Sequence, residues 1–177
     1  MLTYHNLTQG SDPWHALRIG KVTASNAHVL LSKGKYAATG TAGLHTSGFW
    51  AERGHILENE AIEVYEAITG LTVERTGFIT NEDYPDCGFS PDGYVELNGS
   101  LMPIEVKCFA EARHLLCLED TPIEVYAQIQ FGMMITESDK TMLLHYNPDI
   151  ADDKLCFKAI EVHRDELLIE RLNENSA

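Results

Sequence analysis

The dipeptide Asn98-Gly99, inside GYVELNGSLMPIEVKC, constrains this chain more than any other feature. A type I′ turn needs positive φ at both central residues, and Asn-Gly supplies it at least cost. With a two-residue loop Leu97 pairs with Ser100, and the register of both arms follows. Val95, Leu97, Met102, Ile104 and Val106 then share one apolar face, which predicts a core side. Carried further, the same register sets Asp92 opposite Glu105, with Lys107 projecting from their face about 7 Å along the strand. Pro103 has no N–H to donate and fits such a strand only at an edge or a bulge.

Two opposed carboxylates about 5 Å apart repel one another. One reading compensates them with a divalent cation. The other is an Asp–Lys–Glu salt-bridge cluster on a wet sheet face. Residues 47–69, SGFWAERGHILENEAIEVYEAIT, read as a long helix closed by Gly70. At roughly 100° per residue, Val64, Ile68, Leu57, Ala61, Tyr65 and Ile62 form one apolar arc. Glu60, Glu63 and Glu66 fall outside it, whereas Glu58 lies between Tyr65 and Ile62. A carboxylate there is either paired, protonated or metal-bound, or it snorkels outward from a rim position.

The remaining segments predict helices first, then strands crossed by one buried helix. Ser11 and Pro13 open a helix that Gly20 ends, and Thr23 caps a second. SKGKYAATGTAGLHTSG reads as a surface loop over 33–48, expected to be mobile. LTVERTGFIT reads as strand. TPIEVYAQIQFGMMI carries a capping-box pattern, Thr121 to Glu124, before a helix apolar almost all round and therefore buried. KTMLLHYNP and LCFKAIEV read as strands, and RDELLIERLNE as a closing helix. The fold class is a mixed α/β (α+β) layer architecture in a single domain spanning 1–177.

Composition narrows the class of partner. Lys and Arg number 13 against 27 Asp and Glu, a net charge of −14, which excludes a general nucleic-acid coat protein. It leaves room for an enzyme that grips DNA at a local basic patch and neutralises its own carboxylates with metal. No apolar run approaches the roughly 20 residues of a membrane span, and no signal peptide is readable, so the expected compartment is the cytoplasm. Cys87, Cys108, Cys117 and Cys156 show no CxxC pairing and read as reduced thiols.

SPDG followed by IEVKC resembles the PD-(D/E)XK nuclease signature, with Asp92, Glu105 and Lys107 in its three positions. More narrowly, DPWHALRIGKVTAS, RGHILENEA, GFSPDG, VYAQIQFGMMIT and HYNPD resemble the phage lambda exonuclease and YqaJ-like viral recombinase group, over most of the chain. The resemblance implies a restriction-endonuclease-like core with a mixed central sheet flanked by helices. It implies a 5′-to-3′ exonuclease that acts on double-stranded DNA ends in phage recombination and leaves 3′ overhangs for a single-strand annealing protein. A single-strand nuclease or endonuclease on the same fold, or a non-catalytic DNA-end-binding module, are the alternatives. The cysteine spacing lacks the tight C-terminal cluster of the related iron–sulphur nucleases.

By the same resemblance, Asp92, Glu105 and the Val106 carbonyl bind Mg²⁺ or Mn²⁺. Glu58 serves a second ion or its water, and Lys107 helps deprotonate the attacking water. Arg18, Ser25 and Ser90 match positions that bind the 5′-phosphate, a role suited to a guanidinium and hydroxyls. Gln128 is the active-site glutamine, with Gln130 as the fallback. A ring-shaped homotrimer is implied as well, its channel lined by basic residues such as Arg18, Lys21, Lys33 and Lys35.

Overall fold

The computed structural model describes residues 1–33 and 49–176. The N-terminal part contains β1 (Leu2–His5), α1 (Asp12–Arg18), β2 (Val22–Thr23), a 3-10 turn (Ala24–Asn26) and α2 (Ala27–Lys33). After α3 (Phe49–Thr69) come β3 (Phe78–Asn81), β4 (Cys87–Gly88), β5 (Gly93–Leu97) and β6 (Ser100–Lys107). The chain continues through α4 (Glu111–Glu119), α5 (Ile123–Thr136), β7 (Lys140–Tyr146), the short α6 (Asp153–Cys156), β8 (Phe157–His163) and α7 (Glu166–Ser176). The loop expected over 33–48 falls, beyond Lys33, outside the described residues, and so does Lys35. No described helix is long and apolar enough to cross a membrane.

The hairpin forms in the register that Asn-Gly dictates. Asn98 and Gly99 take φ of 53° and 80°, and Leu97 pairs with Ser100, Val95 with Met102 and Gly93 with Ile104. The ladder ends there. Asp92 donates its N–H to the Ile104 carbonyl at 3.2 Å, the carbonyl opposite Gly93, so Asp92 and Glu105 are not the ladder pair the register predicts. Pro103 is tolerated for a local reason. It faces Tyr94 at a non-hydrogen-bonded position, and pairing of β6 with β7 begins only at Ile104, so no partner strand awaits an N–H from residue 103.

The central sheet runs β5-β6-β7-β8, with β6 and β7 parallel and the outer pairs antiparallel. Alternation along β6 and β7 divides the core in two. On one face Ala61, Ile62 and Tyr65 of α3 pack on Val95, Met102, Ile104, Val106 and Leu144. On the other, α5 packs with Leu143, α2, α7 and the β2–β4 pair. Removing a fully buried side chain such as Ile104 by substitution with alanine costs about 2–5 kcal/mol. The face of Glu105 and Lys107 is therefore covered by α5, not wet, and Glu105 is only 3% exposed.

Several local expectations give way to tertiary context. Ile68, placed in the apolar arc of α3, is 69% exposed because the helix runs past the sheet. Pro122 is the N-cap of α5, without a side-chain capping bond, so the Thr121–Glu124 box does not form. Residues 71–77 are irregular apart from the Glu74–Tyr94 bridge, leaving a four-residue β3. The helix α4 and the strands β1 and β4 carry no periodic pattern strong enough to announce them. All four cysteines are free.

Candidate active site

At the end of the hairpin where the ladder opens, the Asp92 carboxylate accepts the Val106 N–H at 2.7 Å. This bond replaces the missing rung and fixes the carboxylate beside β6. Glu105 and Lys107, two residues apart on β6, point together toward α5, and Lys107 Nζ donates to Glu105 Oε1 at 2.6 Å. Gln128 of α5 completes a triangle, donating Nε2–H to the same oxygen at 2.6 Å and accepting from Lys107 at 3.0 Å. Glu105 Oε2 is buried and has no hydrogen-bond partner among the described residues, an arrangement that water or a cation can compensate.

The electrostatics follow from this crowding. Burial pushes the Asp92 carboxyl well above its ordinary range, with Glu105 and Glu58 adding to the push and Lys107 and the Val106 N–H opposing it. Burial would lower the Lys107 pKa, but Glu105 and Asp92 outweigh it and the net shift is upward. Lys107 is thus an ammonium ion at neutral pH in this arrangement. The nearby Cys108 thiol is pushed up to about 12 by burial and by Glu58 and Asp92, which leaves it inert as a nucleophile.

Glu58 sits at the margin of this group, its side chain 23% exposed. Both sequence readings apply to it in part, for it is half-buried and it is paired. Arg75 Nη1 donates to Glu58 Oε1 at 3.0 Å and to the Asp92 carbonyl at 2.5 Å, while Nη2 donates to Asn59 at 2.8 Å. Burial still raises the Glu58 pKa, against the opposing pull of Arg75. Sequence reasoning missed Arg75, since it lies in the irregular segment 71–77 and its partners are distant in sequence.

Across the cavity stands an anion-binding arrangement. Arg18, at the end of α1, stacks over Trp14 at 4.0 Å and donates to Ser90 Oγ at 3.0 Å. Trp14 Nε1 donates to the same hydroxyl at 3.1 Å and to the Gly77 carbonyl at 2.9 Å. Burial lowers the Arg18 pKa to about 10, and no described carboxylate pairs with it. A half-buried guanidinium without a counter-ion is a site for an anion. Ser25, exposed in the 3-10 turn, lies 3.2 Å from the Thr23 hydroxyl. Trp14 was visible in the sequence only as a helix residue, although its i, i+4 spacing to Arg18 predicts the stacking.

One cavity of about 280 Å³ is lined by Asp92, Glu105, Val106, Lys107, Glu58 and Gln128, and also by Arg18, Ser25 and Ser90. Every residue assigned from the sequence to catalysis, metal binding or the 5′-phosphate lines it, and the fallback Gln130 does not. That side chain is fully buried elsewhere, donating to the His163 carbonyl and accepting the Asp165 N–H, both at 2.8 Å. Its task is to satisfy backbone groups. The donor set suits a hard divalent cation: Asp92, the bare Glu105 Oε2 and a backbone carbonyl, with an octahedron left to water. Among the described residues no three His, Cys, Asp or Glu side chains are grouped closely enough to hold an ion by themselves.

This architecture recurs among solved exonucleases. An alkaline exonuclease from Laribacter hongkongensis matches with a TM-score of 0.77 at 25% identity, over 94% of this chain and 89% of that one. The same enzyme in complex with dAMP matches at 0.79 and 26%, with the same coverage. A phage-related exonuclease from Haemophilus somnus 129PT, 15% identical, shares the fold at a TM-score of 0.61 over 92% of each chain. No curated protein sequence matches. The fold is thus the mixed sheet and flanking helices of the PD-(D/E)XK nucleases. The model of the YqaJ-like viral recombinase domain matches residues 13–139, from α1 past the end of α5, and the chain belongs to that family.

Proposed function

We propose that this protein is a metal-dependent exonuclease that digests one strand of duplex DNA from its 5′ end, leaving a 3′ overhang. The family and the exonuclease neighbours support a nuclease; a neighbour's complex with dAMP favours deoxynucleotides. The observation that carries the polarity is the uncompensated Arg18, with Ser90 and Trp14, in the same small cavity as Asp92, Glu105 and Lys107. A terminal 5′-phosphate held there places the following phosphodiester near the carboxylates.

Asp92, Glu105 and the Val106 carbonyl would hold Mg²⁺ or Mn²⁺, with Glu58 available to a second ion or its water. Such ions supply an activated water and neutralise charge on the phosphate. The chain's own residues do the rest. Lys107, held between Glu105 and Gln128, helps to deprotonate the attacking water and donates to a phosphate oxygen as negative charge develops. Gln128 fixes Glu105 and Lys107 relative to one another. Arg75 holds Glu58 and the Asp92 backbone in place.

The reading extends to a phage or prophage enzyme of the host cytoplasm. Its product passes to a single-strand annealing protein, and three copies close a ring around DNA. Incubation with linear duplex, closed circular duplex and single-stranded DNA, each with Mg²⁺ or with EDTA, tests the core of it. Linear duplex should be degraded with Mg²⁺ alone, and closed circles should survive. Cutting of circles would replace the exonuclease with an endonuclease.

A further inference from the structure

The catalytic cavity, which takes in both Arg18 and the carboxylates, has room for about one nucleotide and not for the strand that continues from it. Its volume of about 280 Å³ lies at the lower limit for a small-ligand pocket, about 300–1,000 Å³. A polymer cut inside it must leave through an adjoining space. A second cleft of about 710 Å³ shares Gln9, Glu58 and Asp92 with the catalytic cavity. Its walls come from the β1–α1 loop, with Asn6, Thr8 and Gln9, and from His55, Asn59 and Arg75.

The loop wall is tightly tied to the body. Gly77 donates to the His5 carbonyl at 3.1 Å and Thr76 Oγ1 to the same atom at 3.2 Å, while Gln9 Nε2 donates to the Pro91 carbonyl at 2.9 Å. A side chain at Gly77 would collide with the Leu7 backbone, since a Cβ there comes within 2.1 Å of the Leu7 carbonyl. The side chains displayed on this wall are different in kind. Asn6 and Thr8 are exposed and their side chains make no hydrogen bond to other described residues, although the Thr8 carbonyl accepts the Ser11 N–H at 3.1 Å, and His55 is exposed across the cleft. Its one full cation, Arg75, is already matched by Glu58. Hydrogen-bonding groups with little net charge suit bases and sugars better than a run of phosphates.

We propose that this cleft receives the nucleotides that follow the scissile phosphate, held through base and sugar contacts by the Asn6–Gln9 wall. The inference rests on the DNA-nuclease reading above and adds the path that the uncut strand takes. It orders the site along the strand. The 5′-phosphate lies at Arg18 and Ser90, the reacting phosphate at Asp92 and Glu105, and the continuing chain between Thr8 and His55.

Filling the cleft tests the path. Thr8→Trp and Asn6→Trp are made separately in a Lys107→Ala background, which slows cleavage. Each protein is titrated in Mn²⁺ with thymidine 5′-phosphate and with a 5′-phosphorylated thymidine octanucleotide. Unfilled protein should bind the octanucleotide at least 10-fold tighter than the monophosphate. Each tryptophan should remove at least 10-fold from octanucleotide affinity and change monophosphate affinity less than 2-fold, with melting temperatures preserved. Octanucleotide affinity unchanged in both variants, beside a wild type that degrades DNA, overturns the cleft alone, as does unfilled protein that binds both ligands equally. A wild type that cleaves no DNA with Mg²⁺ or Mn²⁺ overturns the nuclease reading and this inference together.

Discussion

Gln128 on α5 donates to Glu105 on β6 at 2.6 Å and accepts from Lys107 at 3.0 Å. The glutamine thereby engages one carboxylate oxygen, while Oε2 stays buried with no hydrogen-bond partner among the described residues.

Gln128 and Gln130 are separable by experiment. Gln128→Ala should cost 10–100-fold in metal affinity or activity, the usual effect of losing a group that orients a ligand, with little change in stability. Gln130→Ala should leave metal affinity intact. It removes the partner of the Asp165 N–H and the His163 carbonyl, both only part-buried, so it should cost about 1–3 kcal/mol in all. Calorimetric metal titration and urea unfolding on both variants check the pair.

Asp92→Ala and Glu105→Ala should each weaken Mg²⁺ or Mn²⁺ binding severely in calorimetry, since each removes one of the two carboxylates proposed to bind the first ion, of the three that line the cavity. Unaltered binding in both variants would refute the metal assignment.

Lys107→Ala should fold, bind DNA and lose at least about 10²-fold in turnover, as expected for a lost electrostatic or acid–base group. Single-turnover kinetics at saturating DNA isolates the chemical step. Near-normal turnover would reduce Lys107 to a salt-bridge partner of Glu105.

Duplex with a 5′-phosphate should be degraded faster than duplex with a 5′-hydroxyl, and Arg18→Ala should erase the difference. Trp14→Phe should reduce it less, because the stacked ring remains while one hydrogen bond to Ser90 is lost. Equal wild-type rates on the two ends would count against the anion pocket.

His145, fully buried on β7 with neither ring nitrogen hydrogen-bonded among the described residues, gives a pH prediction. Burial lowers its pKa to about 4, assisted by His114, Lys107 and Lys158. The unfolded chain, with an ordinary pKa of about 6.5, binds the proton more readily. The stabilisation is therefore present above pH about 6.5 and is lost as pH falls toward about 4, by no more than about 3 kcal/mol. Denaturant titrations across that window should show the loss in the wild type and a shallower one in His145→Leu.

Much of the site was legible because its chemistry rides on local rules. Asn98-Gly99 set the hairpin register, period-2 alternation put Glu105 and Lys107 on one face, and helical spacing marked Glu58 as out of place among apolar neighbours. Those rules need only the residues beside one another in the chain. Tertiary structure decided the rest. The end of the ladder at Gly93 turned a predicted Asp92–Glu105 pair into a carboxylate bonded to the Val106 N–H. The packing of α5 over β6 buried a face that the local pattern leaves open to water and chose Gln128 over Gln130. Arg75 carried no signal, because its three acceptors lie 16 or 17 residues away in sequence. Spacing along a chain reveals which side chains share a face, but only the packing of one element on another decides which partners meet there and which charges lose their water.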